Sequence, residues 1–175
     1  MPPGPIQVIS MCAGQGRDII GVLPDHARRA DVRARLVELD PENVAWAREA
    51  ARRHGLTALE IVEADAALSD AYAGLVPADV LLVCGILGNI PEADIERTVQ
   101  HLSMLGRCGT TVIWTRHRNP PDFTPTLRRW FSDSGYEEVS FDALNNERNP
   151  AIGVHRLRGP ALPFRPGFRF FTFVR

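Results

Sequence analysis

The sequence predicts an α/β domain built on an open, doubly wound, mostly parallel sheet, and three features of its 175 residues predict it. Short β-like runs alternate with helical patterns from residue 6 to about 143, the order that gives a parallel sheet with helices on both faces. One run, DVLLVCGI (79–86), is apolar on both of its faces, as a central parallel strand must be. Two glycines follow the first apolar run, where a strand must turn tightly into a helix.

Each element has a local reason. IQVISM (6–11) reads as the first strand, and a helix is expected from about Gly16 to Val22. ARLVEL (34–39) is the second strand. Asp40 is a good helix cap and Pro41 suits a first turn, while Val44, Ala47, Ala50 and Ala51 form one apolar stripe. LEIVEA (59–64) is the third strand and leads to a short helix around 67–74. PEADIERTVQHLSML (91–105) is helical, with Pro91 at its start and Gly106 after its end. TTVIWTR (110–116) is the fifth strand, TPTLRRWFSDSG (124–135) a helix and EEVSFDA (137–143) a further strand. The tail offers two more strand candidates, IGVHRL (152–157) and FRFFTFV (168–174), so an antiparallel β element is expected at the C-terminal end of a Rossmann-like sheet.

Bulk composition narrows the function. Hydrophobic residues make up 45% and charged residues 23% of the chain, as in a single globular domain spanning 1–175. A net charge of −1 argues against a dedicated nucleic-acid binder, and no nucleic-acid partner is expected. All 20 basic residues are arginine. The local runs Arg116-His117-Arg118 and Arg128-Arg129 read either as solvated surface or as an anion site. The longest apolar run, VLLVCGIL, is too short to span a bilayer, and MPPGPIQ does not read as a signal peptide, so no membrane association is expected. Cys12, Cys84 and Cys108 lack metal-ligand spacing; reduced thiols in a cytoplasmic protein, with no metal, are the simplest reading.

The stretch VISMCAGQGRDII (8–20) carries the chemistry. A glycine turn after the first strand lets backbone N–H groups approach an anionic or ribose-bearing ligand. A dinucleotide fingerprint wants a third glycine three residues after Gly16, where Ile19 stands. The turn is otherwise a plain strand-to-helix connection. At the end of strand two, Glu38 and Asp40 compete as the carboxylate that accepts from a pair of vicinal hydroxyls, and Pro41 marks Asp40 as the helix cap. Asp65 in VEADAA is a ligand carboxylate, a helix cap, or both.

These motifs resemble class I S-adenosylmethionine-dependent methyltransferases over about residues 6–143. In this chain Ser10 stands where that family has an acidic residue and Cys12 where it has its first glycine, while Gly14 and Gly16 match. The resemblance implies an S-adenosylmethionine site built from Cys12, Gly14 and Gly16, with Glu38 on the ribose, Asp65 on the adenine amino group and the Ala66 N–H on an adenine ring nitrogen. It puts Cys84 and Gly85, from CGILGN, beneath the methionine part of the cofactor, and Asn89 toward the substrate. The C-terminal half is similar to bacterial methyltransferase-like proteins of unassigned substrate.

For the acceptor, strand four lacks the Pro-Pro-aromatic motif of amino-methylating enzymes, and no Pro-Cys pair is present for attack on a pyrimidine. A small-molecule acceptor is expected. His117, just past strand five, is either a general base or a surface loop residue. Cys84 and Trp114 read as core, and His155 as structural. Two other functions remain open: a methyltransferase-like domain that binds without catalysis, and an NAD(P)-dependent oxidoreductase, which would want a third glycine and a Tyr–Lys pair in a chain without lysine. The family usually carries helices before its first motif. Here MPPGPIQ is expected to be an extended lead-in, which leaves the site to be covered by a second copy or a partner.

Overall fold

The computed structural model describes residues 4–144, 146 and 149–174, so the first three residues of the lead-in lie outside the described residues. Strand β1 (Ile6–Met11) enters α1 (Arg17–Ile20). Then come β2 (Val32–Glu38), α2 (Pro41–Arg53) and β3 (Leu59–Glu63). Next are β4 (Ala78–Val83), α3 (Glu92–His101) and β5 (Gly106–His117). The last elements are α4 (Thr124–Asp133), β6 (Tyr136–Ala143) and β7 (Pro150–Leu157).

The sheet order is β3-β2-β1-β4-β5-β7-β6. Strands β1 to β5 are parallel, and β7 runs antiparallel between β5 and β6. The chain therefore moves outward from β1 in one direction, returns to β4 and continues in the other. The reversal between β1 and β4 is the crevice where a ligand of such a sheet belongs.

Helices cover both faces. On one face Ala47, Ala50 and Ala51 of α2 pack against Val8, Ala34 and Leu36. On the other, Ile95 and Val99 of α3 with Leu127 and Phe131 of α4 pack on Ile9, Leu81, Val83 and Trp114. Asp40 caps α2 by accepting from the Glu42 N–H at 2.9 Å, with Pro41 in the first turn. No helix among the described residues is long and apolar enough to cross a membrane.

Several boundaries differ from those the sequence predicts. The first helix is a single turn, because Gly21 closes it and Pro24 starts a separate 3₁₀ turn. The expected helix at 67–74 is only a 3₁₀ turn at Ser69–Tyr72. The helix at 91–105 winds into 3₁₀ over Leu102–Leu105. Four consecutive residues are buried there, more than one face of an α-helix can bury in a row. Strand β4 stops at Val83, which leaves Cys84 and Gly85 in the following loop.

The larger correction is the tail: β7 is the last sheet strand, and FRFFTFV (168–174) is not one. Phe170 and Phe171 are both fully buried, whereas a half-buried strand alternates. Apart from one bridge, Leu68 to Arg169, the segment finds irregular partners. The Phe170 N–H donates to the Ala67 carbonyl, that of Thr172 to the Asp94 carboxylate and that of Val174 to the Asn89 carbonyl. The tail is thus a strap on the α3 face, from the end of β3 to the loop after β4.

Candidate functional site

Parallel register brings the carboxyl ends of the strands level. Met11 sits beside Val37, and Glu38 beside Glu63. The loops leaving β1, β2, β3 and β4 therefore open onto one edge, and they carry Gly14, Glu38, Asp65 and Gly85.

The turn after β1 has three residues in the left-handed region: Cys12 (φ 51°), Gly14 (φ 56°) and Gly16 (φ 66°). The two glycines serve different needs. A side chain at Gly16 would lie 2.4 Å from Leu36 Cδ2, so its absence lets the turn pack down on β2. A side chain at Gly14 would meet nothing within 4 Å, so Gly14 leaves open space above the turn. Cys12 holds a backbone conformation that costs a non-glycine residue about 1 kcal/mol or more. Burial, with the carboxylates of Glu38 and Asp65 nearby, pushes its thiol up to about 12, so it stays protonated.

Glu38 is tied to that turn. One carboxylate oxygen accepts from the Gly14 N–H at 2.7 Å, and the other accepts from the N–H groups of Leu39 and Asp40 at 3.0 and 2.9 Å. Asp40 is used as a cap, so the carboxylate that faces the glycine turn is Glu38. At the next strand end, Asp65 Oδ1 accepts from the Ala67 N–H at 2.9 Å. Its Oδ2 pairs with Arg169 Nη1 at 3.0 Å. Ala66 is buried and its carbonyl accepts from the Tyr72 hydroxyl at 2.6 Å, yet its N–H donates to no group among the described residues. Ser10 is buried within the sheet rather than presented at the edge.

Across the crevice, Gly85 (φ 72°) donates to Thr115 Oγ1 at 3.0 Å, and its carbonyl accepts from Asn89 Nδ2 at 2.7 Å. Asn89 thus braces the loop, with its side chain turned onto the Gly85 carbonyl. Cys84 is half-buried, and desolvation pushes its thiol up to about 11. The ring of His117 lies 3.4 Å from where a side chain at Gly88 would start, so Gly88 makes room for the imidazole. Arg116 donates to the Leu87 carbonyl and lies over the Phe123 ring at 4.9 Å, which fixes β5 to the same loop. Arg128, by contrast, is clamped on Glu138 at 2.6 and 2.7 Å and belongs to the structure of α4 and β6.

The structure therefore gathers Cys12, Gly14, Gly16, Glu38, Asp65 and Ala66 on one side of the crevice, and Cys84, Gly85, Asn89 and His117 on the other. The sequence reading took Arg116 only as part of a basic run, solvated surface or an anion site, and missed Thr115 and Arg169. Nothing local flags these roles, because each of the three residues acts on a partner 29 to 104 residues away.

Neither a protein-family model nor a curated protein matches the chain. Solved structures do match. An O-methyltransferase family protein from Burkholderia thailandensis superposes with a TM-score of 0.70 at 16% identity, over 88% of this chain and 51% of the other. The Methanococcus jannaschii fibrillarin pre-rRNA processing protein gives 0.72 at 14% identity, over 91% and 70%. The [4+2]-cyclase SpnF gives 0.66 at 13% identity, over 89% and 75%.

The fold is that of the class I methyltransferases. The chain spans about half the length of the Burkholderia protein, and a cyclase stands among the similar structures. A methyltransferase fold hosts more than one chemistry, so the function must be argued from the site.

Proposed function

We propose that this chain binds S-adenosylmethionine and transfers its methyl group to a small-molecule acceptor. One observation carries the reading: a glycine turn tied to Glu38 opens at the same end of the strands as Asp65 and the buried Ala66, whose N–H has no partner among the described residues. That donor set fits an adenosine. Glu38 is oriented by three backbone N–H groups, and the lone-pair site left on the oxygen that accepts from Gly14 can take a ribose hydroxyl. The Ala66 N–H and the Asp65 carboxylate form a donor–acceptor pair that matches the edge of an adenine ring. The open space above Gly14 and Gly85 admits close approach of ligand to backbone.

Bound there, the cofactor would supply an activated methyl group. The residues of this chain have the remaining tasks. Gly85, with open space where a side chain would start, clears a path to the acceptor, and Asn89 and Arg116 hold the loop that bounds it. His117 accepts the proton of an O–H or N–H acceptor as that atom bonds to the methyl group, then releases it to solvent, to which the ring is exposed. Phe173 and Val174 are exposed at the end of the strap, beside Asn89, and offer an apolar rest for a second copy or partner covering the acceptor.

The test is thermal unfolding with S-adenosylhomocysteine and with NADH. At 100 times its dissociation constant, the first is expected to stabilise the fold by about 2.7 kcal/mol and the second not at all. Equal stabilisation by NADH, or none by the homocysteine compound, rejects the reading. Binding without turnover over a panel of small acceptors would keep the cofactor site and remove the catalysis.

A further inference from the structure

A second cavity, of about 540 Å³, lies between α1 and α2, and no residue of the crevice lines it. The buried side chains of Ile20 and Ala50 give it an apolar floor, and Trp46 stands beside them. Trp46 lies outside the stripe of Val44, Ala47, Ala50 and Ala51 that α2 buries, and is 37% exposed. A concave, mostly apolar space of this size is suited to a small molecule rather than to a protein or nucleic-acid surface.

The charge around the cavity is one-sided. Arg17, Arg53 and His54 line it and no carboxylate does, in a chain whose net charge is −1. The Arg17 guanidinium lies over the Trp46 ring at 5.3 Å, and its Nε and Nη2 donate to Gln15 Oε1 at 2.9 and 2.7 Å. That partner is neutral, so the cation is positioned without its charge being cancelled. Arg53 stands 3.8 Å from Glu49, beyond hydrogen-bond reach, whereas Arg52 holds the same carboxylate at 2.9 and 2.8 Å.

The geometry points to this cavity as a binding site for a small aromatic carboxylate, its ring against Trp46, Ile20 and Ala50 and its acid group toward Arg53 and His54. Trp46 supplies an aromatic partner for the ring. A planar carboxylate matches the fork of the Arg53 guanidinium. The site is independent of the S-adenosylmethionine reading, with which it shares no residue.

Calorimetric titration of 2-naphthoate into the wild-type chain, W46A and R53Q tests the site, with 2-naphthamide and acetate as comparison ligands. Naphthoate is expected to bind the wild type, and about tenfold more weakly to R53Q, which lacks the charged donor. A loss of about tenfold is also expected in W46A, which lacks the ring. Naphthamide has the ring without the charge and acetate the charge without the ring, so both are expected to bind at least about tenfold more weakly than naphthoate. Both substituted side chains are exposed, so W46A and R53Q are expected to unfold at the wild-type temperature, and a binding loss is then not a folding loss. No binding of naphthoate, equal binding of naphthamide or acetate, or unchanged binding by either variant overturns the site. Displacement of naphthoate by S-adenosylhomocysteine would put it in the crevice and overturns the site as well, while leaving the cofactor reading untouched.

Discussion

The two halves of the sheet treat polar groups in opposite ways. In the parallel half, Glu38, Asp65 and Gly85 sit at strand ends, held by backbone N–H groups or by Thr115, and remain partly open to solvent. In the antiparallel half, the polar atoms are sealed among rings. Trp114 stacks on Phe131 at 6.0 Å, Phe131 stacks on His155 at 4.4 Å and meets the Tyr136 ring edge-on at 5.4 Å. The Trp114 indole donates to His155 Nδ1 at 3.1 Å. Indole nitrogen only donates, so Nδ1 is bare and Nε2 carries the proton. That Nε2 has no hydrogen-bond partner among the described residues, and the Glu138 carboxylate is 3.6 Å away. Backbone-held carboxylates with open faces can serve a ligand, whereas ring-stacked ones serve rigidity.

The comparison is broken most severely at Trp114. Its ring fills the space over Gly153, where even a Cβ would come within 2.2 Å. Trp114→Ala removes the centre of the stack and is expected to cost about 3–5 kcal/mol in urea unfolding. A loss below 1 kcal/mol would mean that the antiparallel half does not depend on this cluster.

Next in size is the pH response of His155. Burial holds its imidazole down at about 4, against an ordinary value of 6.5, despite the nearby Glu138 carboxylate and with a smaller downward push from Arg128. Between those values the unfolded chain binds a proton that the folded chain does not. Stability is therefore fully present above about pH 6.5 and falls as pH drops toward 4, by about 3 kcal/mol for this group. His155→Gln is expected to flatten that slope when unfolding is measured from pH 7 to 4. An unchanged slope would assign the acid loss to the carboxylates instead.

The smallest effects separate two carboxylates in the parallel half. Glu38→Ala is expected to weaken S-adenosylhomocysteine binding by about 2 kcal/mol, roughly 30-fold. Asp40→Ala is expected to cost about 1 kcal/mol of stability through its lost cap and to leave binding nearly intact. Calorimetry on both variants decides; a larger binding loss at Asp40 would transfer the ligand role to it.

The sequence by itself determined the parts whose causes are local. Apolar runs of the right length became β1, β2 and β4. Asp40 and Pro41 opened α2, and Gly14 and Gly16 forced a left-handed turn after β1, because capping, φ restriction and side-chain period act within a few residues. Spacing along the chain also located Glu38 and Asp65 at strand ends, which parallel register then made neighbours. What only the tertiary structure decided are the pairings at long range and the fate of the last segment. FRFFTFV has the composition of a strand, and nothing within it says whether a sheet edge or a helical face awaits it. The face of α3 took it, since that contact buries Phe170 and Phe171 together, which alternation on a half-buried edge strand does not allow. The same docking set Arg169 against Asp65, 104 residues earlier in the chain. A contact of that separation has no local signature, because its energy is realised only after the segments between are packed.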